Sequence, residues 1–525
     1  MRQIGFKNFR KFADFPMIDL APITMFVGEN NSGKSTVVKG ILTLSEFLSG
    51  RTRRLLDLDS LLENDNEEDI ISHIKKILKS QKFYFHSRYF AHIGTFKRAF
   101  YNRAKEDSIT FKATTGVTTI ELDVTGNKND EDAVFGIIQR VGIFIHLYNI
   151  SMDFNLLEDV VNIEFHHSHD KNEFERHGEK GKSLQKYFSS FERNYKFSMP
   201  ISNTYRLGIG YDFVNELIES VQICMSATIF PDSSNSNKRY LRGRDIHPLN
   251  VSDDEMKFLL MFHDCFGKDE HPHYEFKFPE QRYLGARMLD IEYIYAHSVT
   301  QTVIYSAKDT NDYLSRTIHE FASVQGDQRK REFIIKWMKE FSIGKNFSIK
   351  SVGGEAHIVY ITNMDDEKVN LADKGMGSIQ LMVLLFRLAI TLRPDLRRQW
   401  IPMNKIIIIE EPEQNLHPSL QSKLADLFYK MHKDYGFRFI IETHSEYLIR
   451  RSQLIVGEKY PTQESLKDNP FKVYYFPSEG EPYDMGYRTT GSFSEPFGPG
   501  FYDEAAKMDM EIIKREMNNP IKRRR

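Results

Sequence analysis

The stretch GENNSGKST, residues 28–36, decides the fold. It fits G-x-x-x-x-G-K-[ST] with Gly28, Gly33, Lys34 and Ser35 in register. The apolar run ITMFV precedes it, and the apolar spacing from Gly33 to about Phe47 predicts a helix after it. In that context glycines let the backbone curl round a phosphate. The amides of a helix N-terminus point inward, and the helix dipole favours the anion. Lys34 is expected to reach the β- and γ-phosphates of a nucleotide, and Ser35 to hold Mg²⁺. The expected phosphate-binding set is therefore Gly28, Asn30, Asn31, Ser32, Gly33, Lys34, Ser35 and Thr36. A chance Gly/Ser/Lys loop is the bland alternative, and the flanking strand and helix argue against it.

Three later stretches extend the pattern. KIIIIEEPEQNLHP (405–418) reads as a strand buried on both faces that ends in two acids. Strand ends of open parallel sheets are where ligands bind. Glu410 is expected to face Mg²⁺ through water, and Glu411 to polarise the attacking water. A strand running into a solvated acidic loop is the competing reading; two adjacent acids at a buried strand end need a cation to explain them. FIIETHSEYLIRR (439–451) is a second buried strand ending at His444, placed to sense a γ-phosphate. A lone histidine after a strand is more often structural, but its position one strand after the acid pair favours function. LADKGMGSIQLMVLLFRLAI (371–390) puts Gly375, Gly377, Ser378 and Gln380 before an apolar helix. On residues alone that is a Gly-containing turn ahead of a core helix, with amides available for an anion.

Composition sets outer bounds. The chain has 525 residues, 40% hydrophobic and 27% charged, with a formal net charge of −2. That suits a globular chain of more than one domain and provides no global field for nucleic acid. Two cysteines, Cys224 and Cys265, exclude a disulfide scaffold and fit a reducing compartment. MRQIGFKNFRKF lacks the apolar core of a signal peptide, and no apolar run is long enough to cross a bilayer. The expected location is cytoplasmic, with no membrane partner.

Strands alternating with helices around these motifs predict an α/β head with a mixed, largely parallel central sheet. The expected division is residues 1–125 as the N-terminal part of the head, 126–280 as an inserted, mostly helical region, and 281–525 as the C-terminal part. SITFKA and TTIELDV alternate like half-buried strands, and FSIKSV with AHIVYITN predicts a strand pair.

In this order the four motifs resemble the ABC-type P-loop ATPases of the RecF, SMC and OLD kind. The resemblance covers about two-thirds of the chain. It implies ATP and Mg²⁺ as cofactors and a homo-oligomer with ATP between heads. In such a pair Gly375, Gly377, Ser378 and Gln380 of one head, the signature, cap the ATP held by another. Pro412–His417 would lie between the two sites. Some positions depart from the pattern. The signature is GMGSIQ rather than LSGGQ, Glu410 stands where an aspartate is usual, and FAHIGTFKRAF (90–100) lacks the expected metal-binding glutamine.

DKGMGSIQ (373–380) and SFSEPFGPGFYDEA (492–505) are similar to bacterial single-head AAA-family ATPases of anti-phage cassettes, of the Septu type. That subgroup implies a separately encoded effector, such as a nuclease, and makes 126–280 a dimerisation or effector-binding region. OLD nucleases carry a further nuclease domain; residues 445–525 show no acidic D-x-D strand end, so this chain is expected to lack it. Alternatives are a RecF-like genome-maintenance ATPase and a self-contained nuclease within 126–280. FHHSHD (165–170) clusters three histidines, a metal-site candidate, but it matches no metal-cage spacing, and a solvated loop is the favoured reading. RTRR (51–54) and KRRR (522–525) could contact DNA, although such runs are usually solvated.

Overall fold

A computed structural model describes residues 2–48, 79, 82–85, 93–114, 118–145, 150–165, 195–200, 291–294, 305–306, 313–353, 356–392, 406–498 and 502–518. The histidine cluster at 166–169 and both basic runs lie outside the described residues. The chain divides into two units, one of residues 1–19 and 39–290, the other of residues 20–38 and 291–525.

The first unit is built on a nine-stranded sheet. Its spatial order is Tyr195–Pro200, Val160–Phe165, Ile150–Asn155, Phe135–Ile145, Thr118–Thr125, Ser108–Thr114, Gln3–Phe9 and Phe12–Asp19, with Lys82–Tyr84 paired to Phe135–Ile145. Every pairing is antiparallel. Period-two patterning explains it: Ile109, Phe111 and Ala113 alternate with half-buried neighbours, and Ile120, Leu122 and Val124 repeat the pattern next door. Phenylalanine fills the core. The Phe83 and Phe111 rings stack at 5.0 Å, and Phe6 lies 5.4 Å from Phe9.

The regular elements in the described part of 126–280 are strands, and the expectation of a mostly helical region falls largely on residues outside the described ones. FGIIQRVGIFI, ISMDFN and VVNIEF place an apolar residue at nearly every second position, a period that one sheet face buries and a helix does not. Strands on either side of residue 126 belong to the same sheet.

The second unit holds a six-stranded sheet ordered Ile291–Ile294, Ile406–Glu410, Arg438–Glu442, Ile23–Gly28, Phe471–Phe476 and Tyr483–Asp484. All pairs are parallel except the last. Ile406–Ile409 are at most 2% exposed, as a strand covered on both faces requires. Each contributes about 1.5–3 kcal/mol of burial. The predicted strand pair appears as Asn346–Val352 against Ala356–Thr362 in a separate antiparallel sheet. The helix Met376–Thr391 is buried nearly all round, so LMVLLF becomes core on every side. Among the described residues no helix is long and apolar enough to cross a membrane.

Candidate nucleotide site

The strand Ile23–Gly28 delivers the chain to the phosphate loop at its C-terminal end, and the helix Lys34–Leu48 opens directly after it. Gly28 has φ +139°, and a Cβ there would lie 2.1 Å from the Phe476 carbonyl oxygen, so only glycine fits. Glu29 then donates its amide to that same carbonyl at 3.2 Å. Asn31 (φ 61°) and Gly33 (φ 109°) turn the loop back on itself. The Lys34 side chain is 3% exposed, and its ammonium donates to the Gly28 and Glu29 carbonyls at 3.1 and 2.7 Å. Ser32 and Thr36 are buried; Asn30, Asn31 and Ser35 are exposed. Ser32 Oγ is buried with no hydrogen-bond partner among the described residues.

Two carboxylates converge beside this loop. Glu410 and Glu442 end adjacent parallel strands level with each other. Glu442 Oε1 accepts from Ser35 Oγ at 2.8 Å, while Oε2 is buried without a partner among the described residues. Glu411 sits in left-handed backbone (φ 47°) and donates its amide to the Glu442 carbonyl at 2.7 Å. Its Oε2 accepts from Gln414, and its Oε1 lies 3.8 Å from His444 Nε2. Burial and the Lys34 charge lower the His444 pKa against the opposing pull of Glu411. The His444 amide donates to Glu413 Oε1 at 2.7 Å, which fixes the loop carrying the imidazole. Glu413 is itself 7% exposed, and burial raises its pKa.

Burial first, and then the Glu410 charge, push the Glu442 carboxyl up to about 7, against the opposing pull of Ser35 Oγ and the Lys34 ammonium. A native pKa above the ordinary 4.5 means that the fold prefers the protonated acid. That stability is fully present below about pH 4.5 and is lost as pH rises through about 7. Glu442→Gln escapes the loss. Without nucleotide or metal, its melting temperature should gain on wild type between pH 5 and pH 8, by up to ~3 kcal/mol in stability. A constant gap across that range would show that Glu442 titrates normally.

The signature residues are placed against the acid loop of their own chain. Gly375 caps the helix Met376–Thr391 with no side-chain bond, and a Cβ there would meet nothing within 4 Å. A Cβ on Gly377 would lie 2.5 Å from the Asn415 carbonyl oxygen. Gln380, 4% exposed, accepts from Asn415 Nδ2 at 3.3 Å. Ser378 is half-buried, and its amide bonds the Gly375 carbonyl.

Sequence reading missed Glu442, Glu413 and Gln414. Glu442 did carry a signal, since it closes FIIE just as Glu410 closes IIIIE. The SFSEPFGPGFYDEA stretch packs Phe493, Phe497 and Tyr502 into an aromatic chain with Tyr475 and Tyr487. The Tyr502 hydroxyl is buried, and its pKa is raised by burial and by the Glu413 and Glu446 charges. Of FAHIGTFKRAF, residues 93–100 are described; Phe96–Ala99 form a single helical turn in the first unit.

A glycine cradle and a buried lysine beside the loop serine fit a nucleotide phosphate. Together with the parallel sheet, they define an ATP-binding P-loop ATPase head. More particularly, the chain belongs to the AAA ATPase domain family, whose pattern matches residues 1–449. Among solved structures it is similar to the SMC head domain with an extended coiled coil from Pyrococcus furiosus, bound there to the C-terminal domain of ScpA. The identity is 10%, over 98% of this chain and 99% of that one, with a TM-score of 0.31. The SMC head domain from Thermotoga maritima is similar at 10% identity, over 92% of this chain and 99% of that one, with a TM-score of 0.31. At these scores the assignment rests on the family match and the site's own geometry. No curated protein matches the chain.

Proposed function

We propose that the chain hydrolyses ATP with Mg²⁺ in a face-to-face pair of heads, and that this cycle switches a separately encoded effector, a nuclease, in anti-phage defence. The observation that carries the hydrolytic reading is the convergence of Lys34, Ser35, Glu411 and His444 at neighbouring strand ends. The defence role is supported by DKGMGSIQ and the 492–505 stretch, through their resemblance to Septu-type ATPases.

In this mechanism Lys34 leaves the Gly28 and Glu29 carbonyls and neutralises phosphate charge. Ser35 and Glu410 would hold Mg²⁺, which would supply positive charge to offset that of the phosphates. Glu411 orients a water and takes its proton as the water oxygen bonds to the γ-phosphorus and the bond to ADP breaks. Gln414 fixes one Glu411 oxygen, so the carboxylate keeps one orientation. His444 donates a ring N–H to the γ-phosphate and so reports its presence. Gly375 and Ser378 of the second head close over the phosphates from the opposite side, on a helix mouth that Gly377 and Gln380 seat against Asn415 of their own chain.

Gly375 is the position at which to test the pair, because a Cβ there meets nothing within 4 Å among the described residues. Gly375→Glu should bind ATP like wild type yet lose nearly all hydrolysis. Mixing it with Lys34→Ala protein should restore part of the activity, since one composite site in each mixed pair is intact. A mixture that co-assembles but stays inactive, or a strictly monomeric wild type that hydrolyses normally, would overturn the pairing. For the effector, co-purification from the native operon with mass spectrometry should recover a nuclease. Recovery of DNA without a partner protein would favour genome maintenance instead.

A further inference from the structure

We propose that Glu442 is a divalent-cation residue of this site, acting with Ser35 and Glu410. The inference rests on the ATPase reading above.

Sheet order is the first support. The strand Arg438–Glu442 lies between the acid strand Ile406–Glu410 and the P-loop strand Ile23–Gly28. With adjacent strands about 4.8 Å apart, Glu442 is one strand from the P-loop strand and Glu410 is two. Register agrees: Glu442 pairs with Glu410 on one side and with Phe26 on the other. Of the two acids, Glu442 is the one in direct contact with Ser35, at 2.8 Å, the hydroxyl that a P-loop offers to a cation.

The second support is the other oxygen. Glu442 is 5% exposed, and its Oε2 is buried with no hydrogen-bond partner among the described residues. A buried carboxylate oxygen left unpaired is costly, and native folds rarely leave one so without a reason. A carboxylate that only pinned the start of the Lys34–Leu48 helix would need nothing beyond the Ser35 bond. Two level carboxylates and a hydroxyl form a hard oxygen set, which is what magnesium prefers. Among the described residues no group of three or more His, Cys, Asp or Glu side chains is placed to hold a metal alone. A cation here would take its remaining ligands from nucleotide and water, as magnesium does at phosphate sites.

The test measures coupling between metal and nucleotide rather than turnover. ATP affinity of the full chain is titrated calorimetrically in EDTA and again across a magnesium series. The proteins are wild type, Glu442→Gln, Glu442→Ala and Glu442→Asp. Manganese replaces magnesium in a parallel series read by electron paramagnetic resonance. In EDTA the Gln and Ala variants should bind ATP as well as wild type or better, because a negative charge near the phosphates has gone. The gain in affinity on adding magnesium should fall at least tenfold, with manganese held correspondingly more weakly. Glu442→Asp should recover part of both. Metal coupling unchanged in the Gln and Ala variants, with wild type coupled, overturns the assignment of Glu442 alone. Loss of ATP binding in EDTA by variants that melt normally also overturns it. A wild type that binds no ATP under either condition removes the ATPase reading itself. Glu442→Gln is isosteric, so it carries the test if Glu442→Ala does not fold.

Discussion

Lys34→Ala is expected to weaken ATP binding by at least a hundredfold, the largest loss for any single change in this site. Lys34 is 3% exposed and sits at the opening of the helix, where its ammonium donates to the Gly28 and Glu29 carbonyls. On the proposed reading its ammonium would meet the phosphates at a buried position, where a charge-assisted bond is worth more than at a surface. The neighbouring acids make the loss worse. With the cation gone, Glu410, Glu411 and Glu442 face the nucleotide with less to offset them, and removing one partner from a buried charge set costs about 3–5 kcal/mol. At about 1.4 kcal/mol per factor of ten, that is about two to three and a half orders of magnitude in affinity. Isothermal titration with ATP and magnesium reads it directly. An unchanged dissociation constant would remove the P-loop assignment.

Glu411→Gln separates binding from chemistry. Its ATP affinity should stay within a few-fold of wild type, while hydrolysis falls by about 10²–10⁴, the usual range for a positioned proton acceptor. The amide keeps the shape that Gln414 grips and the contact toward His444, but it cannot take a proton from water. Left-handed backbone at residue 411 favours this reading of position. A non-glycine residue at φ 47° is held there by its surroundings, here by the 2.7 Å amide bond to the Glu442 carbonyl. Phosphate release from a single turnover, measured beside nucleotide retention, checks both halves. Wild-type turnover in the variant would move the base to another residue.

Much of the second unit was legible because its signals are local. Four isoleucines in a row can only be covered on both faces, and they mark a central strand to within a residue of Ile406–Glu410. The P-loop announces itself through glycines whose backbone other residues cannot adopt, as the 2.1 Å clearance at Gly28 shows. What sequence could not supply is strand order. Glu442 closes an apolar run as plainly as Glu410 does, but nothing along the chain says that its strand lies between the acid strand and the P-loop. Glu413 is similar: its burial and its grip on the His444 amide join residues that are distant in sequence. The strands after residue 126 were obscured for a different reason. Glycine and charge interrupt them, as in FGIIQRVGIFI, and their alternation is clear only beside the neighbouring strands that complete the face.

The loop after the acid strand holds two grips on consecutive residues. Gln414 holds the Glu411 carboxylate, and Asn415 holds Gln380 at the mouth of the signature helix, where its carbonyl also packs under Gly377. One peptide bond joins the two grips, so tilting the helix mouth pulls on the acid. In a face-to-face pair that mouth would bear on the neighbour's nucleotide. Each head's hydrolytic carboxylate would then be aimed partly by what its neighbour has bound, and the two sites would keep time with each other instead of firing independently.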